Sequence, residues 1–122
     1  MSAPAPSPLT PAHLQAMLAL DDAVMAKLER YVAMLRDWQT RLNLVARSTL
    51  EDPWRRHVLD SAQLHRFVPA GARTLVDLGA GAGFPGLVLA MMGVPEVTLV
   101  EARHKKCRFL EAVAAATDTP VT

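Results

Sequence analysis

The stretch Leu75-Val-Asp-Leu-Gly-Ala-Gly-Ala-Gly-Phe-Pro-Gly86 constrains this chain more than any other. It places four of the six glycines of the 122-residue sequence within eight positions, directly after a short apolar run that ends in one acid. Glycines at this density let a backbone turn sharply and approach something closely. An apolar strand, a glycine loop and a further apolar run together predict a buried strand feeding a helix. The span 78–95 carries no charge, but its five glycines and two prolines fit strand, loop and helix better than a membrane span.

The residues around the loop repeat this grammar. Thr74–Leu78 reads as a first strand, Gly86–Met92 as a helix, Glu96–Val100 as a second strand and Arg103–Ala116 as a second helix. Asp118–Thr122 is placed to begin a third strand. Strand, helix, strand, helix implies a parallel sheet with right-handed crossovers. The expected fold class is therefore α/β, Rossmann-like, with an incomplete parallel sheet. Ahead of it the pattern is helical. Val24, Leu28, Tyr31, Val32, Leu35, Trp38 and Leu42 follow one face of a long helix. A second helix is expected from about Pro53 to Phe67, burying Trp54, Val58, Ala62 and Leu64. It is opened either by a capping box at Ser48-Thr-Leu-Glu51 or by Asp52-Pro53. Residues 1–11 hold four of the nine prolines and read as a disordered tail. The expected organisation is thus tail 1–11, helical arm 12–70 and α/β segment 71–122.

Three ligands suit a glycine loop after a strand. A dinucleotide fingerprint needs glycines at relative positions 1, 3 and 6, but Phe84 stands where the last should be. A P-loop ends in Gly-Lys-Ser/Thr, and this loop has no lysine. The remaining pattern is an acid two residues ahead of Gly-x-Gly-x-Gly, with a second acid closing the next strand. That is the arrangement of S-adenosylmethionine-dependent methyltransferases. Asp77 is placed to bind the cofactor's ammonium, and loop amides with the following helix N-terminus to hold its carboxylate. Glu101, 22 residues after Gly79, is placed to accept from the ribose hydroxyls. Gly79, Gly81 and Gly83 would let the cofactor lie flat on the backbone.

More specific segments surround the loop. Trp38-Gln-Thr-Arg-Leu-Asn-Leu44 and Arg56-His-Val-Leu-Asp-Ser61 carry Asn-Leu and Arg-His-x-x-Asp-Ser stretches that generic methyltransferases lack, and Glu101-Ala-Arg-His-Lys-Lys-Cys-Arg-Phe-Leu110 extends the set. With the glycine loop they resemble the glucose-inhibited division protein B family, the 16S ribosomal RNA guanine-N7 methyltransferases, over roughly residues 28–116. The resemblance implies an S-adenosylmethionine fold with an N-terminal helical extension, acting on a guanine of 16S rRNA in the 30S subunit. By position it puts cofactor contacts on Gly79, Gly81, Phe84 and the Glu101–Ala102 pair. It also implies a longer chain, with an Asn-Ala-Arg-type segment and the strands that complete the sheet. The expectation is accordingly an amino-terminal part of such an enzyme.

Other residues carry two readings each. His57, Asp60 and Ser61, with Arg56, form either a polar face that pins the arm to the loop or a border of the substrate pocket. Guanine N7 is an unprotonated lone pair, so His57 is not required as a general base, and transfer depends mainly on in-line positioning. Arg103, His104, Lys105, Lys106 and Arg108 form either a solvated helix surface or a patch for rRNA phosphates. A net charge of +1 makes any basic site local. Tyr31, Trp38 and Trp54 read as core. One cysteine, Cys107, excludes an internal disulfide and a cysteine-ligated zinc site, and no metal is expected. The start, MSAPAPSPLTPAH, lacks the basic and apolar regions of a secretory signal, so a cytoplasmic, non-membrane protein is expected. Two other classes stay open: a non-catalytic rRNA- or cofactor-binding fragment, and a nicotinamide-dependent oxidoreductase.

Overall fold

A computed structural model describes residues 7–122. The arm opens with α1 (Pro11–Leu18), which has proline in its first turn and is capped by Thr10, whose side chain accepts from the His13 N–H. The tail expectation is corrected for residues 7–11; residues 1–6 lie outside the described part. Leu9 is buried in the core and its N–H donates to Asp52 Oδ1 at 2.9 Å, so one apolar anchor and one hydrogen bond tie this segment down.

Helix α2 (Asp22–Gln39) is capped by Asp21; of the expected stripe it buries Leu28, Tyr31, Val32 and Leu35, with Met25 added, while Val24 and Trp38 are half-buried and Leu42 lies past its end. Its last residue organises the turn that follows. The Gln39 Oε1 accepts from the Leu44 and Val45 amides, and its Nε2 donates to Asn43 Oδ1 and the Val45 carbonyl. Asn43 is thus a turn residue.

The second helical segment departs from expectation at its start. The expected capping box at Ser48–Glu51 opens no α-helix there: Arg47–Glu51 is itself a 3-10 turn, in which the Thr49 hydroxyl donates to the Ala46 carbonyl. Asp52 does not cap either, because its carboxylate is taken by the Leu9 amide and Arg55. The segment then runs as a π-helical turn (Trp54–Leu59), α3 (Asp60–Ala62) and a 3-10 turn (Gln63–Phe67). Trp54, Val58 and Ala62 are buried as expected, whereas Leu64 is 43% exposed. Two residues beyond Ala62 is the opposite side of a helix, which accounts for the difference.

Strand β1 (Leu75–Leu78), α4 (Gly86–Met91), β2 (Val97–Val100) and α5 (His104–Ala116) follow in the expected order. The strands pair in parallel, with Leu75 opposite Val97 and Leu78 opposite Val100. The chain then returns to β2. Thr122 donates its N–H to the Val97 carbonyl at 3.0 Å and accepts from the Leu99 N–H at 2.7 Å, the spacing of a parallel neighbour on the second edge. One sheet face is covered: α4 comes so close that a side chain on Gly86 would strike Leu99 and Asp77. On the other face Val76, Leu78 and Val100 are 57%, 77% and 46% exposed. Parallel sheets are normally covered on both faces, so this one presents an uncovered apolar surface. The core itself joins arm and sheet: Tyr31, Leu35, Val58, Leu87, Val88, Phe109 and Val113 belong to one cluster. Among the described residues no helix is long and apolar enough to cross a membrane.

Candidate cofactor loop and its clamp

The loop between β1 and α4 holds three left-handed glycines, Gly79, Gly81 and Gly83, at φ of +69°, +55° and +94°. Their surroundings divide them. A Cβ on Gly79 would meet nothing within 4 Å, and one on Gly81 only the Gly79 carbonyl oxygen at 3.9 Å. Open space therefore lies above the first two. A Cβ on Gly83 would come within 2.6 Å of both Leu87 and the Tyr31 hydroxyl. Gly83, expected beside a ligand together with the others, faces the protein core.

The two acids hold this loop from either side. Asp77 Oδ2 accepts the Gly86 N–H at 3.1 Å, bridging the loop's two ends. Its carboxyl pKa is raised from 3.8, mainly because burial removes water from the anion, while the Gly86 hydrogen bond acts in the opposite direction. Glu101 Oε1 accepts from the Gly81 N–H and Oε2 from the Arg103 N–H, both at 2.9 Å. Those hydrogen bonds are the main reason its pKa is lowered from 4.5, with burial opposing and Lys106 and Arg103 adding to the lowering. The end of β2 is thereby fastened to the middle of the loop. The amides of Gly81, Gly83 and Gly86 are engaged by Glu101, Ala80 and Asp77 respectively. These expected donors to a ligand carboxylate are thus used by the protein itself.

The arm reaches the loop through three aromatic rings. Phe84 stacks with Tyr31 at 4.9 Å between centroids and 11° between planes, and with His57 at 4.8 Å and 22°. The Tyr31 hydroxyl donates to the Ala82 carbonyl inside the loop. Burial raises the pKa of Tyr31 well above the usual phenol value, and the nearby Asp77 charge adds to this. Tyr31 was legible only as a core position, because nothing in the sequence ties its hydroxyl to a loop 51 residues away. Thr49, hydrogen-bonded to His57 Nε2 at 2.7 Å, had no signal either. His57, Asp60, Ser61 and Arg56 do come together, lining a cavity of about 100 Å³ with Leu64, Phe84 and Pro85.

His57 gives a pH signature. Its pKa is lowered from 6.5, first by burial and then by Arg56, with Asp60 opposing. The unfolded ring takes a proton more readily than the folded one. The stability contribution is therefore complete above about pH 6.5 and declines as pH falls from there towards the folded value. Between pH 7.5 and 5.5 the thermal midpoint is expected to fall further in the wild-type chain than in His57→Phe. Equal falls would contradict this.

After Glu101 in the chain, Ala102, Arg103, His104, Lys105 and Arg108 are exposed and Lys106 is half-buried. Three of the side chains, His104, Lys105 and Lys106, sit in the first turn of α5, where cations oppose the helix dipole.

The site is an acid-flanked glycine loop between the strands of a two-stranded parallel sheet, fronted by a helical arm. Comparison with known sequences makes this specific. The profile of the rRNA small subunit methyltransferase G family matches residues 24–122. The chain is 52% identical over 113 residues to the curated "Ribosomal RNA small subunit methyltransferase G" of Rhodospirillum rubrum, covering 93% of this chain and 56% of that protein. The proteins of the same name from Rhodospirillum centenum and Paramagnetospirillum magneticum are 52% and 51% identical, with 98% and 92% of this chain covered and 55% of each relative. The chain belongs to the rRNA small subunit methyltransferase G family. It spans about half the length of the curated relatives it matches.

Proposed function

We propose that this chain carries the cofactor loop and helical arm of an S-adenosylmethionine-dependent methyltransferase that methylates guanine N7 in 16S rRNA of the small ribosomal subunit. One observation supports the cofactor most directly. A half-buried carboxylate, Asp77, borders a loop whose first two glycines leave their faces open. An ammonium placed there would relieve the desolvation of Asp77, and a pyrophosphate would aggravate it. The residues present thus fit a ligand with a cationic amino-acid end. Bound at this loop, S-adenosylmethionine would supply a methyl group activated on a sulfonium. Asp77 binds the ammonium, Gly79 and Gly81 allow close approach, and Phe84 and the Glu101–Ala102 pair border the nucleoside end. Glu101 keeps lone pairs for the ribose hydroxyls beside its two backbone bonds. No proton need leave guanine N7 before attack, so His57 is assigned no acid–base role.

Arg103, Lys105 and Lys106 are proposed to contact rRNA phosphates. In the chain continued to its relatives' length, Lys105→Ala with Lys106→Ala should weaken 30S binding and reduce its salt slope by about two phosphate contacts. Cofactor affinity should hold. An unchanged slope would return the cluster to a solvated surface.

The proposal is tested by tritiated methyl transfer to unmodified 30S subunits. The chain at its relatives' length is expected to label 16S rRNA. The 122-residue chain alone is expected to stay at background, because its sheet presents the uncovered Val76, Leu78 and Val100 face. A non-catalytic binding role fits that shorter chain for the same reason. A folded longer chain that fails to label rRNA would overturn the proposal.

A further inference from the structure

We propose that Tyr31 and His57 are positioning residues that hold the glycine loop in its open, ligand-ready shape, acting through Ala82 and Phe84. The inference rests on the methyl-donor reading only in calling the loop a cofactor loop. The contacts themselves stand apart from it.

Two elements of the arm grip two adjoining points of the loop. From α2, Tyr31 is fully buried; its hydroxyl donates to the Ala82 carbonyl and its ring lies on Phe84. From the π-helical turn, His57 lies on Phe84 as well. The imidazole is oriented by a short relay. The Thr49 hydroxyl gives its proton to the Ala46 carbonyl at 2.6 Å, so its oxygen is left to accept from His57 Nε2 at 2.7 Å. That fixes the Nε2–H tautomer and the plane of the ring. A flat ring held at a fixed angle restricts where Phe84 can sit, and stacked pairs contribute beyond their buried area.

The placement has a consequence for the loop. Gly81 and Gly83 lie just before Phe84, at positive φ, where the backbone freedom of glycine leaves the conformation to be selected by surrounding contacts. Glu101 supports Gly81 from β2, and Tyr31 closes the space beside Gly83. Releasing Phe84 removes one of the arm's two grips and leaves the Tyr31 hydrogen bond to Ala82 as the other. This offers a physical reason for a helical extension in front of the sheet: it shapes the binding loop of the domain that follows.

Native-state hydrogen exchange on the 122-residue chain without cofactor tests the proposal. The probes are the Gly81 and Gly83 amides, both hydrogen-bonded inside the protein, with the Phe109 and Val113 amides of α5 as reference. His57→Ala is expected to speed exchange at the two loop amides by about tenfold and to leave the α5 reference unchanged. His57→Phe keeps a flat ring against Phe84 and should restore most of the protection. Thr49→Val, nearly isosteric, removes only the acceptor that orients His57 and should speed the loop amides by a smaller factor. If His57→Ala does not fold, Thr49→Val decides. Unchanged loop exchange, an equal rise throughout α5, or no rescue by His57→Phe would overturn the proposal. A wild-type protein that binds no S-adenosylmethionine would sink the proposed function and leave this inference standing.

Discussion

Valine at Gly83 is expected to collapse the junction of arm and sheet, whereas valine at Gly81 is expected to leave the fold standing and abolish cofactor binding. At Gly83 the new Cβ would lie 2.6 Å from Leu87 and from the Tyr31 hydroxyl, and 3.0 Å from Leu110, at a φ of +94°. Overpacking costs roughly 1–3 kcal/mol, and a left-handed β-branched residue adds about 1–2 kcal/mol. Together these reach a large part of a small domain's stability, about 5–15 kcal/mol. At Gly81 the side chain would enter open space, so only the backbone term applies, while the branched methyls occupy the face proposed for the ligand. Thermal melts and cofactor titration of both variants separate the cases. Similar stability losses at the two positions would show that their environments are not as distinct as the geometry makes them.

Asp77→Asn is expected to stabilise the ligand-free protein at neutral pH and to weaken S-adenosylmethionine binding sharply. In the folded chain the Asp77 carboxyl is held above its usual pKa by burial. The folded state then binds a proton more readily than the unfolded state, so stability contributed by this group falls as pH rises from 3.8 through the folded value. Above that range the ionised, half-buried acid is a standing cost. Asparagine removes the charge and retains an oxygen for the Gly86 N–H. The variant's advantage in thermal midpoint should therefore be present at pH 7, shrink as pH falls through the folded value, and be gone below 3.8. In the chain at its relatives' length, loss of the charge-assisted contact to the ammonium should cost about 1.5–3 kcal/mol of cofactor binding. A variant that is less stable and binds normally would remove Asp77 from the site.

The sequence was most readable where one periodicity or one residue type decided the outcome. β1, α4, β2 and α5 lie within a residue or so of the apolar runs and the glycines that bound them, because strand and helix there follow local pattern. Of the third strand expected from Asp118, only Thr122 pairs with β2 among the described residues. The tail was misread since Leu9 is a single apolar residue among prolines, and the acceptor for its amide, Asp52, lies 43 residues away. The bounds of the second helical segment were legible but its cap was not, because Ser48–Glu51 is taken up in a 3-10 turn and the Asp52 carboxylate is spent on Leu9 and Arg55. At the loop, the residue types gave Asp77 and Glu101 but not the division of labour among the glycines. Spacing alone cannot tell a glycine that makes room for a ligand from Gly83, which makes room for Tyr31 and Leu87. Tyr31 itself stood on an apolar stripe, where a ring in the core looks the same whether or not its hydroxyl has work to do.

The loop is proposed to receive an amino-acid-bearing methyl donor and not a dinucleotide. Calorimetric titration of the chain at its relatives' length with S-adenosylmethionine and, separately, with NAD tests it most directly. The account predicts saturable binding of S-adenosylmethionine that is lost or greatly weakened in Asp77→Ala, and no binding of NAD. Equal binding of NAD, or no binding of S-adenosylmethionine by the folded protein, would contradict it.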